Sequence, residues 1–149
     1  MAALIGAAGA IAAALIAWFA SVKAKQNASL LYSRQYTLVN PQGRWKCDWF
    51  TENGALYVTD VIEIEGWVRP GAFKGRGVQP DLSYAVYGEI DSTRAMALTY
   101  RTEDFPKKAF VGVAFLLFDT NGERLSGRWY GRGRDGQLAG GKTEWRRSS

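Results

Sequence analysis

Residues 82–102 read LSYAVYGEIDSTRAMALTYRT, and this stretch decides the fold of the chain. From Leu82 to Ile90, larger apolar residues and glycine alternate with serine, alanine, tyrosine and glutamate. Asp91-Ser92-Thr93 is a turn, and Met96, Leu98 and Tyr100 then share one face of the run from Arg94 to Thr102. A period of two with a polar turn between two runs predicts two antiparallel strands.

The same pattern recurs on both sides of this hairpin. Turns are predicted at Glu52-Asn53-Gly54, Asp119–Gly122 and Arg134-Asp135-Gly136. A loop carrying Lys74 and Arg76 is expected between Arg69 and Gly77. The remaining predicted strands are Arg44–Phe50, Leu56–Val68, Ala109–Phe118, Arg124–Gly133 and Gln137–Arg147. The run Ala109–Phe118 is apolar on both sides, so we expect another element or lipid to cover it.

Seven or eight short strands with no helical pattern between them are typical of a sandwich or a barrel. Glycines inside the strands favour a tightly curved, closed sheet. They are Gly66, Gly88, Gly112, Gly127 and Gly131. We therefore predict an all-β fold at residues 43–147, a small antiparallel up-and-down (lipocalin-like) β-barrel of about eight strands. Such a barrel has room for side chains or one small ligand.

The amino-terminal segment differs in composition from the rest. From Ala2 to Val22 there is no charged residue, and an apolar run of this length is enough for a helix to cross a bilayer. We predict a transmembrane α-helix at residues 1–22 and a juxtamembrane linker at residues 23–42. A cleaved signal peptide is the alternative, although no basic residue precedes the apolar run. Small residues at four-residue spacing, such as Gly6 and Ala10, favour close helix packing in lipid.

Charge predicts the orientation of this anchor. The net charge is +5, from 19 basic and 14 acidic residues. The first 40 residues contain three bases, Lys23, Lys25 and Arg34, and no acid, so the remaining 16 bases and 14 acids give the barrel only +2. The lysines after the apolar run predict a cytoplasmic carboxyl-terminal module. General DNA- and RNA-binding proteins carry a much larger positive charge than this barrel.

Several kinds of chemistry are excluded by composition. There is no histidine, and Cys47 is the single cysteine. A disulfide within one chain and a Ser-His-Asp or Cys-His catalytic system are therefore impossible, and a Cys/His metal site is nearly so. No pair of acids stands out by motif. We predict no catalytic residues, no metal, no cofactor and no enzymatic activity.

Aromatic residues and arginines are the candidate ligand-binding groups. Aromatic rings stack on nucleobases, and guanidinium groups make paired hydrogen bonds to phosphate. The aromatic candidates are Trp45, Trp49, Tyr84, Tyr100 and Tyr130, and the arginine candidates are Arg69, Arg76, Arg101, Arg128, Arg132 and Arg134. The alternatives are that the rings pack the barrel core and that the arginines form a solvated basic face or touch lipid headgroups.

Three stretches resemble one bacterial family, the CBASS-type membrane effectors that carry a minimal, STING-like β-barrel. They are GRWKCDW at 43–49, YAVYGEIDSTRAMALTY at 84–100 and LSGRWYGRGRDGQLAGGKTEWRR at 125–147. The resemblance implies a cytoplasmic barrel that binds a cyclic dinucleotide or oligonucleotide, homo-oligomerisation in the bacterial inner membrane, and membrane disruption as an antiphage response. The family usually has two membrane helices, whereas this chain has one apolar segment.

The leading hypothesis from the sequence is thus a single-pass membrane effector, controlled by a cyclic oligonucleotide and without catalytic activity. One alternative is a membrane-anchored, lipocalin-like carrier of an apolar ligand. Another is a structural or assembly protein that uses the barrel for protein contacts.

Overall fold

The computed structural model describes residues 21, 23–24, 38–80, 82–102, 110–133 and 135–149. Eight antiparallel strands form a closed barrel in chain order. They are β1 Gly43–Phe50, β2 Leu56–Arg69, β3 Ala72–Gln79, β4 Leu82–Ile90, β5 Ala95–Thr102, β6 Val111–Phe118, β7 Arg124–Arg132 and β8 Leu138–Arg147. Pairing of β1 with β8, in which Trp45 lies opposite Arg147, closes the sheet. The predicted all-β, up-and-down barrel is confirmed.

The two ends of the barrel differ. The lower end carries Gly43, Arg147 and the turns that join β2 to β3, β4 to β5 and β6 to β7. The upper end carries the other connections, including the predicted Glu52-Asn53-Gly54 turn, where the Thr51 amide donates to the Ala55 carbonyl at 2.8 Å. Residues 38–42 therefore enter the barrel at its lower end.

The prediction of a loop between Arg69 and Gly77 is wrong, because Ala72–Gln79 is strand β3. Two glycines of this strand serve close packing. A Cβ at Gly77 would lie 2.0 Å from the ring of Tyr84, and one at Gly75 would lie 2.5 Å from the Glu63 carbonyl oxygen. Glycine is required there because neighbouring atoms occupy the space of a side chain.

Aromatic side chains fill the interior. Trp45, Trp49, Trp129 and Trp145 are all buried, in one cluster to which every strand contributes. Several rings sit on a glycine of a neighbouring strand. Tyr100 covers Gly112, where a Cβ would lie 2.2 Å from the hydroxyl oxygen, since glycine leaves room for the ring.

Arg147 holds the lower end together. Its guanidinium donates to the carbonyls of Gln42 and Asn40, both at 2.6 Å, and its Nε donates to the carbonyl of Gly122 at 3.1 Å. The same group lies 4.5 Å from the centre of the Trp45 ring. One side chain thus joins β8, the entering chain and the β6–β7 turn.

The predicted transmembrane helix at 1–22, except Ser21, and most of the linker at 23–42 lie outside the described residues. Among the described residues, no helix has the length and hydropathy that a membrane crossing requires.

Candidate functional site

A buried carboxylate lies inside the barrel, at Asp60 on β2. It lies two residues from Val58 and two from Ile62, so the alternation of β2 turns its side chain inward with theirs. It is only 3% exposed. Trp49 Nε1 donates to Oδ1 at 2.9 Å, while Gln79 Nε2 donates to Oδ2 at 3.2 Å. The Tyr84 hydroxyl also donates to Oδ2. Three neutral donors satisfy this carboxylate.

Burial changes the titration of this cluster. Desolvation raises the pKa of Asp60, and the hydrogen bonds from Trp49, Tyr84 and Gln79 only partly offset the effect. Burial and the neighbouring Asp60 charge raise the pKa values of Tyr84 and of Cys47 well above their ordinary ranges. Cys47 is therefore an inert buried thiol rather than a reactive one.

The interior is filled at the level just above Asp60. Among the described residues, a cavity of about 10 Å³ lies between Trp49, Tyr100, Phe110 and Trp129. A volume of this size holds about one water molecule. Of the two contents that the sequence allowed for the barrel, side chains and a small ligand, the described interior contains side chains.

A row of arginines crosses the outside of the barrel. Arg76 on β3 pairs with Ala85, Ala85 pairs with Arg101 on β5, Arg101 pairs with Val111, and Val111 pairs with Arg132 on β7. The three arginines are exposed and point outward. Neighbouring strands are about 4.8 Å apart, so successive arginines in this row are spaced by roughly 10 Å. We call Arg76, Arg101 and Arg132 the arginine row.

Two exposed tyrosines lie in the adjacent register. Tyr87 pairs with Thr99, and Val113 pairs with Tyr130, so the tyrosines lie one step below the arginine row on β4 and β7. Arg128 Nε donates to the Tyr130 hydroxyl at 2.9 Å, and its Nη2 donates to both carboxylate oxygens of Glu52 at 2.7 and 2.8 Å. Outside the barrel, aromatic and cationic side chains are thus neighbours.

The predicted binding residues fall into two groups. Trp45, Trp49, Tyr84 and Tyr100 face the interior, where they contact other core residues. The outer group contains Arg76, Arg101, Arg128, Tyr130 and Arg132. Arg69 is further down the wall, where its Nη2 lies 2.6 Å from Glu89, and Arg134 lies outside the described residues. The buried aromatics and the arginines therefore do not share one surface.

Sequence reasoning missed Asp60 and Tyr87. Asp60 interrupts the inward apolar positions of β2, so an acid at an even position between Val58 and Ile62 was the signal. Tyr87 stands on the face of β4 opposite to Tyr84, and an aromatic residue at an outward position was its signal. No group of three acids or cysteines able to hold a metal occurs in the part of the chain that the structure describes.

Comparison with known proteins supports the fold alone. No family model matches the chain, and no curated protein matches it. A redesigned β-barrel of known structure superimposes with a TM-score of 0.53, covering 72% of this chain and 91% of that chain at 14% sequence identity. At this sequence identity, the similarity shows a shared fold and carries no information on function.

Proposed function

We propose that this chain is a membrane effector without catalytic activity, whose barrel binds a cyclic oligonucleotide on its outer wall. Binding controls the apolar segment at residues 1–22, which oligomerises in the bacterial inner membrane and disrupts it. The observation that carries the proposal is the arginine row. Arginines whose backbone positions are roughly 10 Å apart can each bind a phosphate of a ligand that carries two or three of them.

The neighbouring side chains fit the remainder of such a ligand. Tyr87 and Tyr130 are 51% and 47% exposed, so their rings are accessible for stacking on bases. Small residues separate the arginines, since Ala85 and Val111 occupy the strands between them. A flat ligand can therefore approach the sheet between the guanidinium groups. The packed interior supports an outer site rather than an inner one.

The test is ligand binding by the full chain in lipid nanodiscs. A panel of cyclic di- and trinucleotides is titrated, and we expect saturable binding at micromolar concentration. Arg101→Ala should weaken binding by about 10- to 150-fold, because a charge-assisted hydrogen bond contributes about 1.5–3 kcal/mol. Arg132→Ala should have an effect of the same size.

Arg146→Ala is the matched control. Arg146 is an exposed arginine near the lower end of β8. Its replacement by alanine removes the same charge at a place outside the arginine row. We expect its affinity for the ligand to stay within a factor of about two, since screened charges at a distance act weakly. Absence of saturable binding, or an equal loss in Arg146→Ala, would contradict the proposal.

A further inference from the structure

Strand β6 exposes an apolar strip along the outer wall. Val111, Phe115 and Leu117 are 41%, 60% and 58% exposed, while the residues that alternate with them face the core. We call these three residues the β6 strip. Exposed apolar side chains that are contiguous commonly mark an interaction surface.

The surface beside the strip forms a shallow groove. Leu117 lies between Ala95 and Ser126, and Phe115 has Ala97 as its partner on β5. Small neighbours leave open space on both sides of Leu117 and on the β5 side of Phe115, whose partner on β7 is Arg128. The resulting groove has a volume of about 600 Å³. Phe115 and Leu117 of the strip line this groove among mainly apolar residues, together with Glu89, Asp91 and Arg128. A groove with this lining fits an apolar helix that carries basic residues at one end.

Residues 2–22 have the length and the pattern for this groove. Twenty-one residues as helix measure about 31 Å, and the eight residues of β6 measure about 26 Å. Leu4, Ile11, Leu15 and Trp18 recur at spacings of seven, four and three, which places them on one helix face. Alanine and glycine make up most of the rest, so the segment inserts into lipid less strongly than one rich in leucine.

The chain also enters at the right place. Leu38 and Val39 pack against the core, and Val39 lies 3.2 Å from the position of a Cβ on Gly122, in the β6–β7 turn at the lower end. The 15 residues from 23 to 37 can extend to about 50 Å, so they reach the adjacent end of the β6 strip.

The lower rim carries arginines as well as acids, and two of the acids are opposite in charge to the end of the segment. Asp91 and Asp119 lie in the β4–β5 and β6–β7 turns, next to the lower end of the strip. Hydrogen bonds within their turns lower the pKa of both carboxyl groups, so both are ionised at neutral pH. Lys23 and Lys25 follow the apolar segment directly and supply the opposite charge.

We propose that, before insertion, residues 2–22 dock on the β6 strip with Lys23 and Lys25 at the lower rim. The barrel then shields the apolar segment from water and restrains it. Val111, the upper residue of the strip, stands between Arg101 and Arg132 of the arginine row. A ligand held by these arginines covers Val111 and displaces the segment. This last step rests on the proposed function, whereas the docking itself does not.

The test is photo-crosslinking of the full chain synthesised without lipid. Benzoylphenylalanine replaces Phe115, and in a control chain it replaces Val78, which is 52% exposed on β3. Lys23 is the first tryptic site, so trypsin releases residues 1–23 as one peptide. We expect the probe at position 115 to link to this peptide and the probe at position 78 to leave it unmodified. A mixture of ¹⁵N-labelled and unlabelled chains separates links within a chain from links between chains.

The other occupants give distinct results. Links from position 115 to residues 43–147 of a differently labelled chain would replace the proposal with a dimer of barrels. Links that form only to added phospholipid would replace it with a membrane-facing wall, and equal labelling from positions 115 and 78 would overturn it. If the probe at position 115 links to residues 1–23 but no cyclic nucleotide binds, the proposed ligand is rejected and the docking is retained.

A second measurement reads the consequence of docking. Phe115→Asp with Leu117→Asp should raise leakage of dye-filled vesicles, without ligand, by about tenfold. Val78→Asp, an apolar-to-acid change at a similarly exposed site, should leave leakage at the level of the parent chain. Near-ultraviolet circular dichroism of the tryptophans confirms that each variant keeps its barrel. Unchanged leakage in a folded double variant would count against restraint by the strip.

Discussion

At the residue scale, the most informative side chain is Asp60. A buried carboxylate costs free energy unless its lone pairs are satisfied, and here an indole, a phenol and an amide supply the donors. No positive charge belongs to this hydrogen-bonded set, so desolvation dominates and the pKa of Asp60 is raised. Asp60 thus orients Trp49, Gln79 and Tyr84 at some cost in stability above its pKa.

That cost predicts a pH dependence. Because the folded pKa of Asp60 is above its ordinary value of 3.8, the folded state binds this proton more tightly than the unfolded state. Stability should therefore fall as the pH rises from about 4 through the folded pKa of Asp60, by at most about 1.4 kcal/mol per pH unit. Urea unfolding followed by tryptophan fluorescence between pH 4 and pH 8 measures the fall.

Asp60→Asn is the control, because the amide keeps one acceptor and does not ionise. Its stability should fall less than that of the parent chain over the same interval. Asp91 and Asp119 have lowered pKa values, so their protonation changes stability only below about pH 3.8. There, stability falls as the pH falls. An equal slope for the parent chain and Asp60→Asn would exclude Asp60 as the titrating group.

At the scale of the elements, closure depends on contacts between β8 and the chain that enters before β1. Strands β1 and β8 share a ladder from Trp45–Arg147 to Trp49–Thr143. The lower end of that ladder is supported by the bonds of Arg147 to the carbonyls of Asn40, Gln42 and Gly122. A planar guanidinium can bond several acceptors and stack on Trp45 at once.

Arg147→Lys should therefore destabilise the barrel by about 1–3 kcal/mol, because an ammonium group cannot reproduce this set of bonds and leaves carbonyls unpaired. Thermal or urea unfolding measures the change. Arg146→Lys is the matched control at the adjacent, outward position, and we expect a change of less than about 0.5 kcal/mol. Equal stability of the two variants would show that Arg147 does not support closure.

At the scale of the whole molecule, the two sides of the wall differ. On β5, β6 and β7 the outward positions are apolar, basic or uncharged polar, and they carry no acid among the described residues. On β1, β2 and β8 the outward positions include both acids and bases, as in the pair Arg44 and Glu63. The proposed docking strip lies on the first side, as do Arg101 and Arg132 of the proposed ligand site, whereas Arg76 lies on β3 and Tyr87 on β4.

Orientation in the membrane is the prediction at this scale. A reporter fused after Ser149 should be located in the cytoplasm in the membrane fraction, because Lys23 and Lys25 follow the apolar segment. Changing both lysines to glutamine should reduce the cytoplasmic fraction, while Lys142→Gln in the barrel should leave it unchanged. A reporter active outside the cytoplasm would favour the carrier or assembly alternatives over the proposed effector.

The sequence by itself determined the features that depend on local periodicity. The two-residue alternation, the turn residues and the glycines were enough for an antiparallel barrel, and Leu82–Ile90 was predicted with the bounds that the structure has.

Tertiary structure decided the rest. β3 was missed because Gly75 and Gly77 are explained only by Glu63 and Tyr84 on neighbouring strands. The arginine row was invisible in the sequence, since the register between strands aligns residues that lie 25 to 56 positions apart. Alternation divides inside from outside along one strand, but only closure of the sheet decides which outward residues become neighbours.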